Sequence, residues 1–152
     1  MCDADLSMPV EEIVKFLPPT LPDFDIAIAS REARGAVRFN EPSYRHWGGR
    51  GINFLIQTLI LPGLNDTQCG FKCLQAGVVD DIFKRQKLNG WSFDIEMLYL
   101  ARRRGYRVRE IPVHWYYHPE TKVSALRDAL RMIGDIFRIH VYALRGVYDG
   151  TR

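Results

Sequence analysis

Helical and strand-like segments alternate along this chain, and the alternation limits the fold to the α/β class. The apolar pattern predicts strands at residues 25–30 and 107–115, with further strand character near residue 71. It predicts helices at residues 9–16, 51–61, 76–85, 93–103 and 123–145, with a loop over 32–47 that runs into the second helix. Ser7 or Asp5 is the predicted cap of the first helix. The strands are few for a doubly wound sheet, and no βαβ unit precedes Asp3, so we expect the N-terminal half of the sheet to be missing.

Composition narrows the class further. The 152 residues are enough for one domain with a sizeable core, and 47% hydrophobic and 26% charged residues are typical of a globular protein. A net charge of only +3 predicts no general affinity for nucleic acid. No apolar run reaches the ~18 residues of a membrane-spanning helix, so the sequence predicts no transmembrane segment. Three cysteines form no disulfide framework and indicate reduced thiols in a protein that faces the cytosol.

Two carboxylates stand one residue apart near the amino end, at Asp3 and Asp5. This D-x-D spacing lets both side chains reach one hard divalent cation, and Mg²⁺ or Mn²⁺ also binds the phosphates of a nucleotide. Such pairs are more often solvated turn or cap residues, and Asp5 can equally open the helix that follows. The metal-binding interpretation of this pair therefore depends on the other motifs of the chain.

Arginines cluster in the segment that follows the first predicted strand. Their guanidinium groups are always charged and bind phosphate in a bidentate fashion, although a solvated basic face is the alternative. The cluster comprises Arg31, Arg34, Arg38, Arg45 and Arg50.

Four motifs in a fixed order carry a family resemblance. They are D-A-D-L-S at 3–7, S-R-E-A-R-G-A at 30–36, D-T-Q-C-G-F-K at 66–72 and W-S-F-D-I-E at 91–96. In this order the chain resembles the inverting family-2 glycosyltransferases that load a polyprenyl phosphate with a sugar, the dolichyl-phosphate glycosyltransferases in particular. The resemblance covers essentially all of residues 1–152, and D-T-Q-C-G-F-K is its most specific motif. It implies a GT-A, Rossmann-like domain of which this chain is the C-terminal part, without the nucleotide-binding βαβ half.

The resemblance also implies roles for individual side chains. Asp66 is expected near the sugar and the acceptor, either as a general base or as a residue that orients the sugar, and Asp94 is expected beside the acceptor. A phosphate acceptor is mostly ionised at neutral pH, which lessens the need for a base. The full set comprises catalytic Asp66 and Asp94, substrate-binding Arg31, Arg50, Lys72 and Lys122, and metal-binding Asp3 and Asp5.

The implied activity is metal-dependent, inverting transfer of a hexose, with glucose favoured, from a nucleotide sugar to a polyprenyl phosphate. UDP-glucose and GDP-mannose are the donors considered, and Mg²⁺ or Mn²⁺ is the cofactor. Two alternatives stay open. In the first, the chain is a non-catalytic remnant that needs a partner half or only binds lipid phosphate. In the second, it is a family-2 transferase with a saccharide acceptor.

A lipid acceptor requires contact with a membrane surface, and two segments are candidates for it. One is the apolar stretch 51–64, and the other is the amphipathic helix 123–145. In that helix an apolar stripe runs beside arginines, which suits the headgroup region, although packing on a sheet is favoured about twofold by the pattern alone. We expect peripheral contact with the cytosolic leaflet. The stripe comprises Leu126, Leu130, Ile133, Phe137, Val141 and Leu144.

Overall fold

The computed structural model describes residues 1–3, 7–21, 23–117 and 125–150. In chain order, a 3₁₀ helix spans Val10–Phe16, β1 Ile26–Ser30, β2 Val37–Phe39, α1 Ser43–Leu59 and β3 Lys72–Leu74. Next come α2 Ala76–Phe83, a 3₁₀ turn Gly90–Ser92, α3 Phe93–Arg103, β4 Val108–Pro112, β5 His114–Tyr116 and α4 Ala125–Leu144. The α/β class is confirmed.

The strands form two small sheets. In the three-stranded sheet the order is β3-β1-β4, with β1 antiparallel to β3 and parallel to β4. A second, two-stranded sheet pairs β2 with β5 in parallel. The predicted strand 107–115 is therefore two strands. The chain passes from one sheet to the other at Val113, whose N–H donates to Ser30 and whose carbonyl accepts from Val37.

Strand β1 divides the core into two layers. All five of its residues are buried, and successive side chains of a strand point to opposite faces. Ile26 and Ile28 pack into a large cluster with α1, α2, α3 and α4, whereas Ala27 and Ala29 pack against the smaller cluster around Phe16. The small alanines leave room for the 3₁₀ helix on that face.

The first two predicted helices needed correction. The segment 9–16 contains a 3₁₀ helix, Val10–Phe16, whose N-cap is Pro9 without a side-chain cap, so Ser7 is not the cap that the sequence predicted. Asp5, the other predicted cap, lies outside the described residues. Helix α1 begins at Ser43, directly after the extended Pro42 and eight residues before the predicted start, so residues 43–47 of the predicted loop are helical. It ends at Leu59, and Gly63 takes a positive φ in the turn that follows.

Helix α4 packs on the core by a different face from the one predicted. Met132, Ile136 and Ile139 are buried in the large cluster. The predicted stripe points to solvent instead, since Phe137 is 70% exposed and Leu144 is 88% exposed. The interpretation of that stripe as core was wrong, because the buried face lies on the other side of the helix. Residues 123 and 124 and the side chain of Leu126 lie outside the described residues.

Among the described residues, every helix is too short or too polar to reach across a bilayer.

Candidate active site

The candidate site lies at one edge of the three-stranded sheet. Arg31 follows β1 directly and Val113 follows β4, so both stand at the carboxyl ends of the parallel pair. Because β3 runs antiparallel to β1, the residues that precede it reach the same edge. The carboxyl ends of parallel strands are where open α/β sheets bind ligands. The topology thus brings S-R-E-A-R-G-A and D-T-Q-C-G-F-K together.

Asp66 and Arg31 form a bidentate ion pair at this edge. The Arg31 Nε lies 2.7 Å from Asp66 Oδ2 and Nη2 lies 2.9 Å from Oδ1. The backbone N–H of Arg31 also donates to Oδ2, at 2.9 Å, and the N–H of Gln68 donates to Oδ1, at 3.4 Å. The Asp66 side chain is fully buried while that of Arg31 is 20% exposed. The pair therefore presents its arginine side outward.

Burial and charge act in opposite directions on Asp66. Burial alone would raise the pKa of its carboxyl group, but the charge and hydrogen bonds of Arg31 outweigh burial and hold that pKa below its ordinary value. Arg31 shows the complementary effect, since burial would lower its pKa and Asp66 raises it. Both oxygens of Asp66 are occupied and the group is ionised at neutral pH. Such a carboxylate is a weak proton acceptor and a strong anchor for its arginine.

Glu110 holds the start of the D-T-Q-C-G-F-K segment in place. Its Oε1 accepts from the backbone N–H of Asp66 at 2.8 Å, and both carboxylate oxygens accept from the N–H of Asn65 at 3.0 Å. Asn65 also donates through its side-chain amide, at 2.8 Å. Because Glu110 lies on β4 and pairs with Ile28 of β1, the sheet register fixes the loop that carries Asp66.

Trp115 and Arg38 complete the surroundings of Arg31. The Arg31 guanidinium carbon lies 5.3 Å from the centre of the Trp115 ring, within cation–π range. Arg38 Nε donates to the Arg31 carbonyl at 3.3 Å, and its terminal nitrogens pair with Glu32 and Glu41. Arg31 contacts Asp66 on one side and Trp115 on another, so its guanidinium group has little freedom to turn.

Arg50 lies further from the pair and is less constrained. Its side chain is 54% exposed, 3.8 Å from Glu32, and its guanidinium carbon lies 5.8 Å from the centre of the Trp47 ring. Glu32 also pairs with Arg38, so an ion-pair chain connects Arg50 to the surroundings of Arg31. Arg34 is exposed, and the side chain of Arg45 lies outside the described residues.

The amino end of the chain reaches the same loop. The N–H of Lys72 donates to the carbonyl of Met1 at 3.0 Å, and the amino terminus donates to the Lys72 carbonyl at 2.8 Å. The Asp3 carboxylate lies against Gly70 so closely that a Cβ at Gly70 would be 1.7 Å from Asp3 Oδ2. Glycine at position 70 therefore leaves the space that Asp3 fills. Asp5 lies outside the described residues.

Lys72 and Asp94 meet each other beneath the loop. Lys72 Nζ lies 3.0 Å from Asp94 Oδ2 and donates to the Cys69 carbonyl at 2.6 Å. The lysine is only 1% exposed, and these two acceptors hold its ammonium group inside the protein. Lys122, the remaining predicted substrate-binding residue, lies outside the described residues.

Three residues of this region escaped the sequence analysis. Glu110 on β4 and Trp115 on β5 lie in a segment whose sequence shows only ordinary strand alternation, and only strand pairing shows what they contact. Thr67 is 1% exposed, and its hydroxyl has no hydrogen-bond partner among the described residues. Burying a hydroxyl group without a hydrogen-bond partner costs free energy. The signal that could have drawn attention to Thr67 is its position next to Asp66 in the D-T-Q-C-G-F-K motif.

The described residues contain no group of three or more side chains able to hold a metal ion. Of the two predicted metal ligands, Asp3 is the one that the structure describes, and its carboxylate lies against Gly70 of the loop. Mg²⁺ at nucleotide sites is commonly bound through one or two carboxylates, with substrate phosphates and water as the other ligands. One aspartate, with Asp5 two residues away in sequence, therefore fits the chemistry of such a donor set.

Comparisons with known proteins bear on this site. No family model matches the chain. It is 34% identical over 98 residues to a dolichyl-phosphate beta-glucosyltransferase of Dictyostelium discoideum, covering 64% of this chain and 30% of the relative. It is 30% identical over 155 aligned positions to one of Trichomonas vaginalis, covering 97% and 45%, and 31% identical over 144 to one of Drosophila melanogaster, covering 91% and 43%.

These relatives are named as glycosyltransferases, which is the class that the motifs predict. The chain belongs to the dolichyl-phosphate glycosyltransferase family. It spans less than half of the length of each of these three curated relatives.

Proposed function

We propose that this chain forms the acceptor side of a site that transfers a hexose, with glucose favoured, from a nucleotide sugar to a polyprenyl phosphate. The observation that carries the proposal is the Arg31–Asp66 pair at the carboxyl edge of the sheet, with Asp3 against Gly70 in the same loop. This arrangement supports a GT-A-like domain in which cationic and anionic groups surround two phosphorylated substrates. UDP-glucose and GDP-mannose are the donors to be tested.

Arg31 is the residue we assign to the acceptor phosphate. A guanidinium group has five N–H bonds, and the pairing with Asp66 uses Nε and one position of Nη2. The remaining N–H bonds suit the oxygens of a phosphate, and the Trp115 ring, 5.3 Å from the guanidinium carbon, limits its movement. A guanidinium group that is already oriented loses little entropy when it binds the acceptor phosphate. A phosphate held in this way is positioned for in-line attack on the sugar. Arg50, exposed and linked through Glu32, is the second cation of this proposal.

Asp66 acts in this proposal as an anchor and as a fixed negative charge rather than as a base. Its pKa is below the ordinary range because Arg31 outweighs the effect of burial, so it carries no proton to exchange at neutral pH. A phosphate nucleophile is already mostly ionised, with a second pKa near ~6. A fixed carboxylate near the anomeric carbon stabilises positive charge that develops in the transition state. Asp94 and Lys72 would keep the loop that carries Asp66 in this position.

Asp3 and Asp5 are the residues proposed to hold Mg²⁺ or Mn²⁺. When bound, such a cation neutralises the charge of the departing nucleoside diphosphate. Gly70 would keep the space in which the Asp3 carboxylate lies. Lys122 is proposed to face the same diphosphate.

We also place the chain peripherally at a membrane, on its cytoplasmic side. The exposed apolar face of α4 supports the membrane contact, and the three free cysteines suit a reducing compartment. A lipid acceptor would then meet the site at the membrane surface.

Calorimetric titration of the chain with UDP-glucose and with GDP-mannose, each with and without Mn²⁺, tests the donor part of this proposal. We expect one nucleotide sugar to bind, with an affinity that rises with Mn²⁺ and falls in Asp3→Asn. Arg109→Ala, an exposed change on β4, serves as the control.

The alternatives give different results. Binding of a polyprenyl phosphate without binding of either nucleotide would contradict a complete transfer site and favour the non-catalytic function. Transfer to a soluble saccharide that is unchanged in Arg31→Lys would instead favour the saccharide acceptor.

A further inference from the structure

A polar groove lies between α4 and the loop 87–89, on the solvent side of the large core cluster. It has a volume of about 690 Å³ and is lined on one side by Lys87 and Asn89 and on the other by Arg131, Asp135 and Arg138. None of these residues belongs to the motifs of the proposed transfer site. Three cations around one groove raise the question of which anion they bind.

The cations of the groove are largely uncompensated. Among the described residues, neither the ammonium group of Lys87 nor the guanidinium group of Arg131 has a carboxylate partner. Asp135 is 7% exposed, and its two oxygens are taken by the Ser92 hydroxyl at 2.7 Å and by Arg138 at 3.2 Å. The single acid is thus already paired, and the groove keeps a net positive charge.

The wall opposite α4 is held firmly. The backbone N–H groups of Lys87 and Leu88 donate to Glu96 Oε2 at 2.9 and 2.7 Å. The Tyr148 hydroxyl donates to Glu96 Oε1 at 2.7 Å. Glu96 itself is fully buried, so this buried carboxylate fixes the loop from which Lys87 extends. A site built on fixed walls binds its ligand with less loss of entropy than a flexible surface.

Helix α4 has three faces rather than two. At 100° per residue, the buried Met132, Ile136 and Ile139 occupy one face and the arginines of the groove occupy a second. The third face, adjacent to the arginines, carries the exposed apolar side chains Leu130, Ile133, Phe137 and Leu144. A basic face beside an exposed apolar face is the pattern of a helix that lies in a membrane interface.

We propose that the groove binds the phosphate headgroup of an anionic phospholipid, while the adjacent apolar face of α4 enters the acyl boundary. The inference rests on the membrane contact of the proposed function and adds a ligand and a binding site to it. Charge complementarity selects the anionic lipid, and the apolar face beside the groove selects a lipid over a free phosphate. The groove shares no residue with the contacts of Arg31, so the headgroup site is distinct from the proposed acceptor site.

Vesicle co-sedimentation of the full chain tests this assignment. We expect binding to vesicles of phosphatidylserine and phosphatidylcholine, weak binding to phosphatidylcholine alone, and a decrease with added salt. The double variant K87E/R131E should weaken binding to anionic vesicles by about 30-fold or more, since each basic residue near such a surface contributes severalfold. Phe137→Ser should weaken it as well, because the side chain no longer enters the acyl region.

Matched variants separate the groove from general charge and apolarity. Arg109→Glu removes an exposed cation away from the groove, and Val10→Ser removes an exposed apolar side chain from the 3₁₀ helix; both should bind like the wild type. The headgroup site would be overturned if Arg109→Glu weakened vesicle binding as much as K87E/R131E does. It would also be overturned if the wild type bound neutral vesicles as well as anionic ones. Titration with inorganic phosphate and with glycerol phosphate forms the second arm. Tight binding of either without vesicle binding would overturn the lipid assignment in favour of a soluble anion.

The test is independent of sugar transfer. The vesicles contain neither polyprenyl phosphate nor nucleotide sugar. Failure of the nucleotide-sugar titration would therefore leave the result of the vesicle co-sedimentation unaffected. Conversely, if the chain binds UDP-glucose but does not bind anionic vesicles, the proposed transfer site stands and the proposed headgroup site is contradicted.

Discussion

Asp66→Asn is the substitution whose effect the structure specifies most closely. It preserves the shape of the side chain, removes the charge and turns an amide group toward the N–H donors of Arg31. Removing one partner of a buried ion pair costs about 3–5 kcal/mol. Because the Arg31 side chain is 20% exposed, water screens part of its charge, and we expect a loss near the lower end, about 3 kcal/mol. In a chain of this size that corresponds to a fall in Tm of about 6–12 °C.

Thermal unfolding followed by circular dichroism measures this loss, with Asp149→Asn as the control. Asp149 also accepts hydrogen bonds from Nε and Nη2 of an arginine, Arg103, but its side chain is 57% exposed, so its change should cost less than about 1 kcal/mol. Adding Arg31→Met to Asp66→Asn should recover part of the stability, since it removes the uncompensated charge. A Tm for Asp66→Asn within about 1 °C of the wild type would refute the reasoning.

The same substitution should also change how the free energy of unfolding depends on pH. The pKa of Asp66 is lower in the folded chain than in the unfolded chain, since Arg31 outweighs burial. Its stabilisation is therefore complete above the unfolded pKa and is lost as the pH falls through the folded pKa. Between about pH 5 and pH 2 the free energy of unfolding should fall less steeply in Asp66→Asn than in the wild type. Parallel curves would contradict the assignment of the low pKa.

Three further outcomes follow from the site and its surroundings. Glu110→Gln should lower the free energy of unfolding by about 1 kcal/mol in urea titration, since Gln keeps one acceptor for the loop but loses the charge; an unchanged midpoint would show that the loop does not need it. Cys2 should react with a thiol reagent at once and Cys69 only on unfolding, because burial raises the pKa of the Cys69 thiol to about 11; rapid reaction of both would contradict its burial. Gly70→Ala should change Tm little but reduce Mn²⁺ affinity as far as Asp3→Asn does, because the new Cβ displaces the Asp3 carboxylate; separate effects would break that link.

The sequence predicted best the elements whose signal is local. Helix α3 has the predicted bounds of 93–103, since apolar residues occur throughout its own sequence and Gly105, with a positive φ, follows its end. Strand β1 was confirmed for the same reason. Strand β2 escaped notice because its pairing with β5, more than 70 residues away, is a long-range interaction that no local pattern reports.

The candidate site divides in the same way. Asp66 and Arg31 could be nominated from motifs, but their direct pairing depends on the antiparallel return of β3 beside β1. Glu110 gains its role from the register of β4, and Trp115 from the switch between sheets at Val113. The solvent-facing stripe of α4 was misjudged because a helix with two apolar faces gives a periodicity that cannot show which face is buried.

The central claim is that Arg31, oriented by Asp66, binds the phosphate of a lipid acceptor. Titration of the chain with a short-chain polyprenyl phosphate, followed by ³¹P NMR, tests it most directly, with Arg31→Lys as the probe and Arg109→Lys as the control. Lysine keeps the charge but lacks the fork, so we expect the affinity to fall about tenfold or more in the probe and to stay unchanged in the control. Equal affinity in wild type and Arg31→Lys, or no phosphate binding at all, would contradict the account.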